Sequence, residues 1–185
     1  MILILTQSFP SRIGGIESLM LNLSLGLSKK EKIIIFADSH NIFYDAIFDN
    51  QYKDIILIRR VGGIKFFRRR KKIREIKPFI ESKKVKLVIS DTWKSLELGI
   101  DYLNKNKIPS LCLAHGNELL SNKEYKKNRI IKTLNKVNLI VANSFFTKDL
   151  VKKLIKSDIR LNVIHPGATD IRNIKDVKVP NIEGN

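Results

Sequence analysis

The chain has 185 residues, 43% hydrophobic and 29% charged, which suits one globular domain with a tail and excludes a fibrous or disordered class. Lys and Arg number 35 against 18 Asp and Glu; the net charge of +17 draws phosphates, nucleic acid or anionic lipid. One cysteine, Cys112, and three dispersed histidines, His40, His115 and His165, exclude a disulfide framework and a multi-cysteine or clustered-histidine metal site.

The first apolar run, 2–5, stops at Thr6-Gln7-Ser8. It lacks the cationic start and the length of a signal peptide, and no run approaches the ~20 residues that cross a bilayer. A cytoplasmic protein is expected, with any membrane contact made peripherally, at the inner face of the cytoplasmic membrane. Further short runs follow at 33–37, 55–58, 87–89, 111–114, 139–142 and, more weakly, 161–164. Most are rich in Ile and Val and do not alternate, as parallel strands buried on both faces do not.

The intervening stretches carry helical spacing. Leu19, Leu23 and Leu27, widened by Leu21 and Leu25, predict a helix after the first strand. Ile73, Ile76 and Ile80 form a stripe on a basic helix that Pro78 is expected to kink or restart. Asp91 or Thr92 can cap a helix running through Leu103. Ile130, Ile131 and Leu134 mark another, and Phe146, Leu150 and Leu154 one more. Strand and helix in alternation predict an α/β fold, a Rossmann-like doubly wound parallel sheet of about seven strands with helices on both faces. After Pro166-Gly167 the pattern fades into a linker or tail.

In such sheets ligands bind where loops leave the carboxyl ends of strands. After the first strand comes Phe9-Pro10-Ser11-Arg12-Ile13-Gly14-Gly15-Ile16-Glu17. Paired glycines at a helix start admit a ligand close to the backbone, and the unpaired amides of the first turn face an anion. The spacing is neither a dinucleotide fingerprint nor a Walker loop, which disfavours a dehydrogenase or P-loop enzyme. After the fifth strand, Ala114-His115-Gly116-Asn117-Glu118 sets an imidazole and a carboxylate three residues apart. Such a histidine can bond a sugar hydroxyl or exchange a proton, and it can equally be tied into its own loop. Asn162-Val163-Ile164-His165-Pro166-Gly167 marks a chain reversal or domain edge, with His165 structural.

Charge is focused. Residues 51–90 hold 14 Lys or Arg and 3 Asp or Glu, so +11 of the total lies there. Its heart, Arg68-Arg69-Arg70-Lys71-Lys72 beside Phe66-Phe67, suits a segment meeting anionic head groups, against the plainer reading of a solvated helix face.

Taken in order, these segments resemble the N-terminal domain of a retaining glycosyltransferase of the GT-B fold, family 4. The run from Thr6 to Glu17 is similar to phosphatidylinositol mannosyltransferase-like enzymes through its F-P-x-R-x-G-G-I pattern. His115-Gly116-Asn117-Glu118 matches their H-G-x-E, Asn143-Ser144 with Thr147 their N-S-x-x-T, and Pro166-Gly167 a Pro-Gly segment that reaches Asp170 one residue late. The resemblance implies that residues 1–170 are the acceptor-side domain and 171–185 a linker toward a C-terminal domain absent from this chain. It implies transfer of a hexose, mannose among the candidates, from a nucleotide diphosphate sugar to a lipid or glycan acceptor, with weak or no activity in the isolated chain. A separate chain carrying the C-terminal domain is one partner it admits.

The same resemblance gives His115 the catalytic role, in contact with the transferred sugar. Gly14 and Gly15 would lie near the donor diphosphate, Ser8 and Arg12 near the acceptor, and Glu118 and Ser144 at the cleft. Arg68, Arg69, Arg70, Lys71 and Lys72 would dock on membrane. It implies no cofactor and no metal, the leaving diphosphate being met by cations and helix N-termini. The rival from another class is a non-catalytic basic module binding anionic membrane or nucleic acid. Nucleic acid is disfavoured because aromatic residues do not interleave with the cations.

Overall fold

The computed structural model describes residues 1–167, apart from the side chains of Lys65 and Phe66. The expected linker over 171–185, and Asp170, lie outside the described residues.

Seven parallel strands form one sheet in the order β3-β2-β1-β4-β5-β6-β7. They are β1 (Ile2–Thr6), β2 (Ile33–Asp38), β3 (Leu57–Val61), β4 (Leu87–Ser90), β5 (Ser110–Ala114), β6 (Leu139–Ala142) and β7 (Arg160–Val163). The chain builds outward from β1 to β3, returns to the other side of β1 as β4, and continues to β7. The order therefore reverses between β1 and β4, which pair in register from Ile2 with Leu87 to Leu5 with Ser90. Crevices open at such reversals.

Seven helices complete the described chain: α1 (Gly15–Ser28), α2 (Ile42–Tyr52), α3 (Lys65–Glu81), α4 (Trp93–Leu96), α5 (Ile100–Lys105), α6 (Glu124–Leu134) and α7 (Phe145–Lys152). One face of the sheet is sealed by α3 to α7 through Ile73, Ile76, Trp93, Leu96, Leu134 and Val151. Cys112 of β5 is buried in that core. Among the described residues the opposite face carries α1 and α2, through Met20, Phe48 and Tyr52, with Phe9 from the first loop. No helix among the described residues is long and apolar enough to cross a membrane.

β1 and β2 are apolar runs covered on both faces, and all five residues of β1 are buried. The edge strand β3 instead alternates, and it begins two residues later than the apolar run at 55–58 predicts. It takes in Arg59, stacked over Phe79 at 5.1 Å, and Arg60, forked onto Asp49. Cations end an apolar pattern in the sequence, yet at a sheet edge they stay in the ladder.

The helices depart more. Leucines at every second position surround α1, and the stripe that packs closest is Glu17, Met20 and Ser24, with Leu19, Leu23 and Leu27 only half-buried beside it. Leu19, Leu23 and Leu27 line an open apolar groove of ≈ 370 Å³ with Leu111 and Leu113 of β5. α3 runs unbroken through Pro78, which lies in its last turn. The helix expected from Asp91 or Thr92 to Leu103 is two, α4 and α5, parted at Gly99, where a Cβ would meet the Ile73 Cδ1 at 2.6 Å. On α7, Thr147 and Val151 are buried while Phe146 is exposed.

Candidate functional site

The carboxyl ends of β1, β2 and β4 are bound together by two charged groups. Asp91, wholly buried after β4, accepts through Oδ2 from the Thr6 hydroxyl (2.9 Å), the Gln7 amide (2.8 Å) and the Ser8 amide (3.3 Å). Its Oδ1 accepts from the Ser95 hydroxyl at 2.6 Å. From the other side Lys72 of α3 donates to the Thr6 carbonyl at 2.7 Å and pairs with Asp38, the last residue of β2, at 2.6 Å. Thr6 is thus held by its hydroxyl and by its carbonyl, and the loop leaving β1 starts from a fixed point.

That loop carries four of the expected site residues. Ser8 and Arg12 share a polar hollow of ≈ 220 Å³ with Ser39, His40 and Arg68. Gly14 is extended at the start of α1, and the buried Glu17 carboxylate folds back against it, in space a Cβ would need. Arg12 answers that carboxylate at 3.2 Å. The negative charge favoured at this helix N-terminus is thereby supplied by the chain itself, while Gly15 faces open space. Nearby, Asp45 of α2 accepts from Ser11, Ser39 and the His40 amide. Burial pushes its carboxyl up, but those hydrogen bonds and the Arg60 guanidinium outweigh it and hold the group below the usual carboxylate range.

His115 begins the turn after β5. Its Nε2 lies 2.9 Å from the Asp91 carbonyl oxygen, which only accepts, so Nε2 is the donor in this contact, and in the neutral tautomer that this selects Nδ1 is the acceptor. Nδ1 has no hydrogen-bond partner among the described residues, and the ring borders the groove beside α1. Such a nitrogen takes a hydrogen bond from a hydroxyl. Glu118 closes the turn by accepting from the His115 amide at 2.8 Å, and its carbonyl accepts from Trp93 Nε1 at 3.2 Å. Gly116 sits at φ +107°, where a side chain is strained and a Cβ would press on Thr147 Oγ1 at 3.2 Å. Ser144 caps α7, accepting from the Thr147 amide at 3.1 Å, so its hydroxyl serves the helix start first.

The five cations of the basic run do not form one surface. Lys72 is 2% exposed and belongs to the strand-end anchor, which corrects its assignment to a membrane-facing patch. Arg68 bonds the Gly63 and Ser39 carbonyls. Arg69 pairs with Glu97, which Arg129 of α6 grips from the other side at 2.5 and 2.8 Å. Burial raises the Glu97 carboxyl, and the two guanidiniums more than reverse it, keeping the group ionised. Arg70 and Lys71 point outward. Two anchors, Asp91 and the Lys72–Asp38 pair, were invisible as such in the sequence. The signal available for Asp91 was its position directly after a buried strand.

Between α3, α4 and α6 opens a crevice of ≈ 860 Å³ that reaches Gln7 at the end of β1. Among the described residues no group of His, Cys, Asp and Glu could hold a metal ion.

A family model described as Glycosyltransferase Family 4 matches residues 13–170. No curated protein matches the chain. Similar solved structures include HepE from Anabaena in complex with UDP, at 16% identity and TM-score 0.66, over 90% of this chain and 44% of that one. The lipopolysaccharide outer core galactosyltransferase WaaB aligns at 15% identity and TM-score 0.62, over 89% and 45%. The UDP-GlcNAc 2-epimerase from Methanocaldococcus jannaschii aligns at 15% identity and TM-score 0.58, over 89% and 45%. At these identities the likeness is one of fold, and the chain spans less than half the length of each of these structures.

Proposed function

The chain belongs to glycosyltransferase family 4, and from that premise we propose that it is the acceptor-side half of a retaining hexosyltransferase, residues 1–170 forming the domain and 171–185 leading toward a second one. The donor is a nucleotide diphosphate sugar, mannose being one hexose to test, and the acceptor a lipid or glycan. The second domain supplies the nucleotide pocket and the cations that meet the leaving diphosphate, so this half alone transfers weakly or not at all. The observation that carries the reading is His115. It stands at the end of β5 with its tautomer set by the Asp91 carbonyl and Nδ1 offered to a hydroxyl.

In this reading His115 accepts a hydroxyl of the transferred hexose and so fixes the sugar's orientation over the acceptor. Gly15, with open space beside it, lets the donor diphosphate approach the backbone next to the Arg12–Glu17 pair. Glu118 and Gly116 hold the turn that aims the imidazole. Ser8 and Arg12, in the polar hollow, bind the acceptor's polar part. Arg70 and Lys71, two of the exposed cations of α3, face an anionic membrane surface at the cytoplasmic side.

The test is transfer from uridine and guanosine diphosphate hexoses with a family 4 second domain joined after residue 185. His115→Ala is expected to lower turnover more than tenfold without changing the urea midpoint. Turnover within about threefold of the original, less than ~0.7 kcal/mol of barrier, would assign the imidazole to the loop alone.

A further inference from the structure

The two loops that carry the candidate site residues leave strands that do not touch, since β4 lies between β1 and β5. Asp91, the residue after β4, reaches both loops with different atoms. Toward β1 its Oδ2 accepts from the Thr6 hydroxyl at 2.9 Å and from the Gln7 and Ser8 amides at 2.8 and 3.3 Å. Toward β5 its main-chain carbonyl faces His115 Nε2 at 2.9 Å. Ser95 Oγ, from α4, donates to the remaining carboxylate oxygen at 2.6 Å.

The carbonyl owes its place to the carboxylate. The amide of residue 91 reaches the Leu5 carbonyl only at 3.3 Å, whereas the wholly buried side chain gathers four donors, three of them within 2.9 Å. A carboxylate accepts through both oxygens, and four donors from the β1 loop and from α4 leave it one position. The other bonds of the β5 turn hold its backbone. Glu118 takes the His115 amide at 2.8 Å, and Trp93 Nε1 reaches the Glu118 carbonyl at 3.2 Å. Among the described residues the Asp91 carbonyl is the one hydrogen-bond partner of the ring.

We infer that Asp91 is the positioning residue of the candidate site: its buried carboxylate, by holding its own carbonyl in place, fixes which nitrogen of His115 carries the proton. The partner of one imidazole nitrogen decides what the other presents, so Nδ1 is offered as an acceptor only while residue 91 stays where it is. The same carboxylate sets where the Ser8 loop begins, so loop and imidazole share one reference point. That this arrangement serves sugar transfer rests on the transferase reading; the control of the tautomer does not.

The protein has three histidines, His40, His115 and His165, so the ring-nitrogen resonances of His115 are identified by their loss in His115→Ala. In the full 185-residue chain at alkaline pH, where imidazole is neutral, the shifts of those nitrogens read the tautomer directly. The Nε2–H form is expected to dominate in the original chain. It should also dominate in Asp91→Asn, whose amide keeps an oxygen for the β1 loop and offers an N–H to Ser95 Oγ. Asp91→Ala is expected to give a mixture of both forms. A dominant Nδ1–H form in the original chain, or an Asp91→Ala ring that keeps the original ratio, would overturn the proposal. Lys72→Gln is the control, since it removes the other hold on Thr6 without removing a bond at residue 91. A shift there as large as in Asp91→Ala would also overturn the proposal, by making the imidazole a reporter of general loosening.

If Asp91→Ala does not fold, Ser95→Ala and Thr6→Val each remove one donor to the carboxylate, and each is expected to move the ratio partway in the same direction. No movement in either would refute the assignment. In the enzyme joined to a second domain, Asp91→Ala is expected to lower kcat at least tenfold, and Asp91→Asn to recover at least threefold of that loss. A tautomer set by Asp91 without any transfer in the joined enzyme would keep the positioning role and sink the transferase reading. Transfer that Asp91→Ala leaves within threefold, with the tautomer ratio unchanged, would do the reverse.

Discussion

Two carboxylates organise two parts of this molecule in opposite ways. Asp91 is wholly buried and is met by neutral donors, two hydroxyls and two backbone amides, at the ends of the central strands. Glu97 lies a helical turn away, partly open to solvent, and is met by two guanidiniums from different helices. Neutral donors on strand ends and on the turn into α4 fix a backbone in one position. Long cationic side chains across a gap tie two helices to one carboxylate. The first arrangement fixes the loop that leaves β1, and the second joins α3 to α6.

Removing the anchors should show that difference as stability. Asp91→Ala strands buried hydroxyls and two amides, and is expected to cost roughly 3–5 kcal/mol in urea unfolding. A loss under about 1 kcal/mol would mean that the loop after β1 finds other partners easily.

Within the basic run the same contrast recurs between neighbours. Lys72→Gln breaks a buried pair and a bond to Thr6, for an expected loss of about 3 kcal/mol, whereas the exposed Lys71→Gln should stay within about 0.5 kcal/mol. Equal effects in thermal unfolding would show that α3 is a uniform solvated face after all.

A smaller loss than at either buried anchor is expected in the open cluster. Glu97→Gln is expected to cost about 1 kcal/mol near neutral pH, because its partners are partly solvated. Asp45 and Glu97 both titrate below their ordinary values in the folded chain. Their stabilisation is therefore complete above the ordinary carboxylate range near pH 4 and disappears as the pH falls through the lower folded values. Urea midpoints measured from pH 7 down to pH 3 should fall, and the gap between the original chain and Glu97→Gln should narrow. A constant gap would show that the carboxylate charge contributes nothing there.

The sheet was legible because burial leaves a one-dimensional trace, an apolar run of three to five residues, for every central strand. At the edges the trace weakens, and Arg59 and Arg60 hid most of β3 because a side chain facing solvent need not be apolar. α2 left no periodic signal at all. Its outer residues, Ile42, Phe43 and Tyr44, are exposed, its one deeply buried group is Asp45, and it is announced only by the Asn41 cap. Leu19, Leu23 and Leu27 misdirected the reading of α1, since leucines on several sides of a helix do not say which side packs. At the candidate site, residue types and order singled out His115, Glu118 and the Gly14 loop. They could not reveal Asp91 or the inward turn of Lys72, because each depends on which distant strand end lies alongside.

The lone cysteine has a use that follows from its place. Burial pushes the Cys112 thiol up to about 12, so at neutral pH the folded chain holds almost no thiolate and shields what it has. Alkylating and oxidising reagents act on the thiolate, and β5 lies in the interior of the sheet. Modification of Cys112 therefore waits for the strand to be exposed, and its rate is a clock for the opening of the whole domain, built into the wild-type chain without any engineered label.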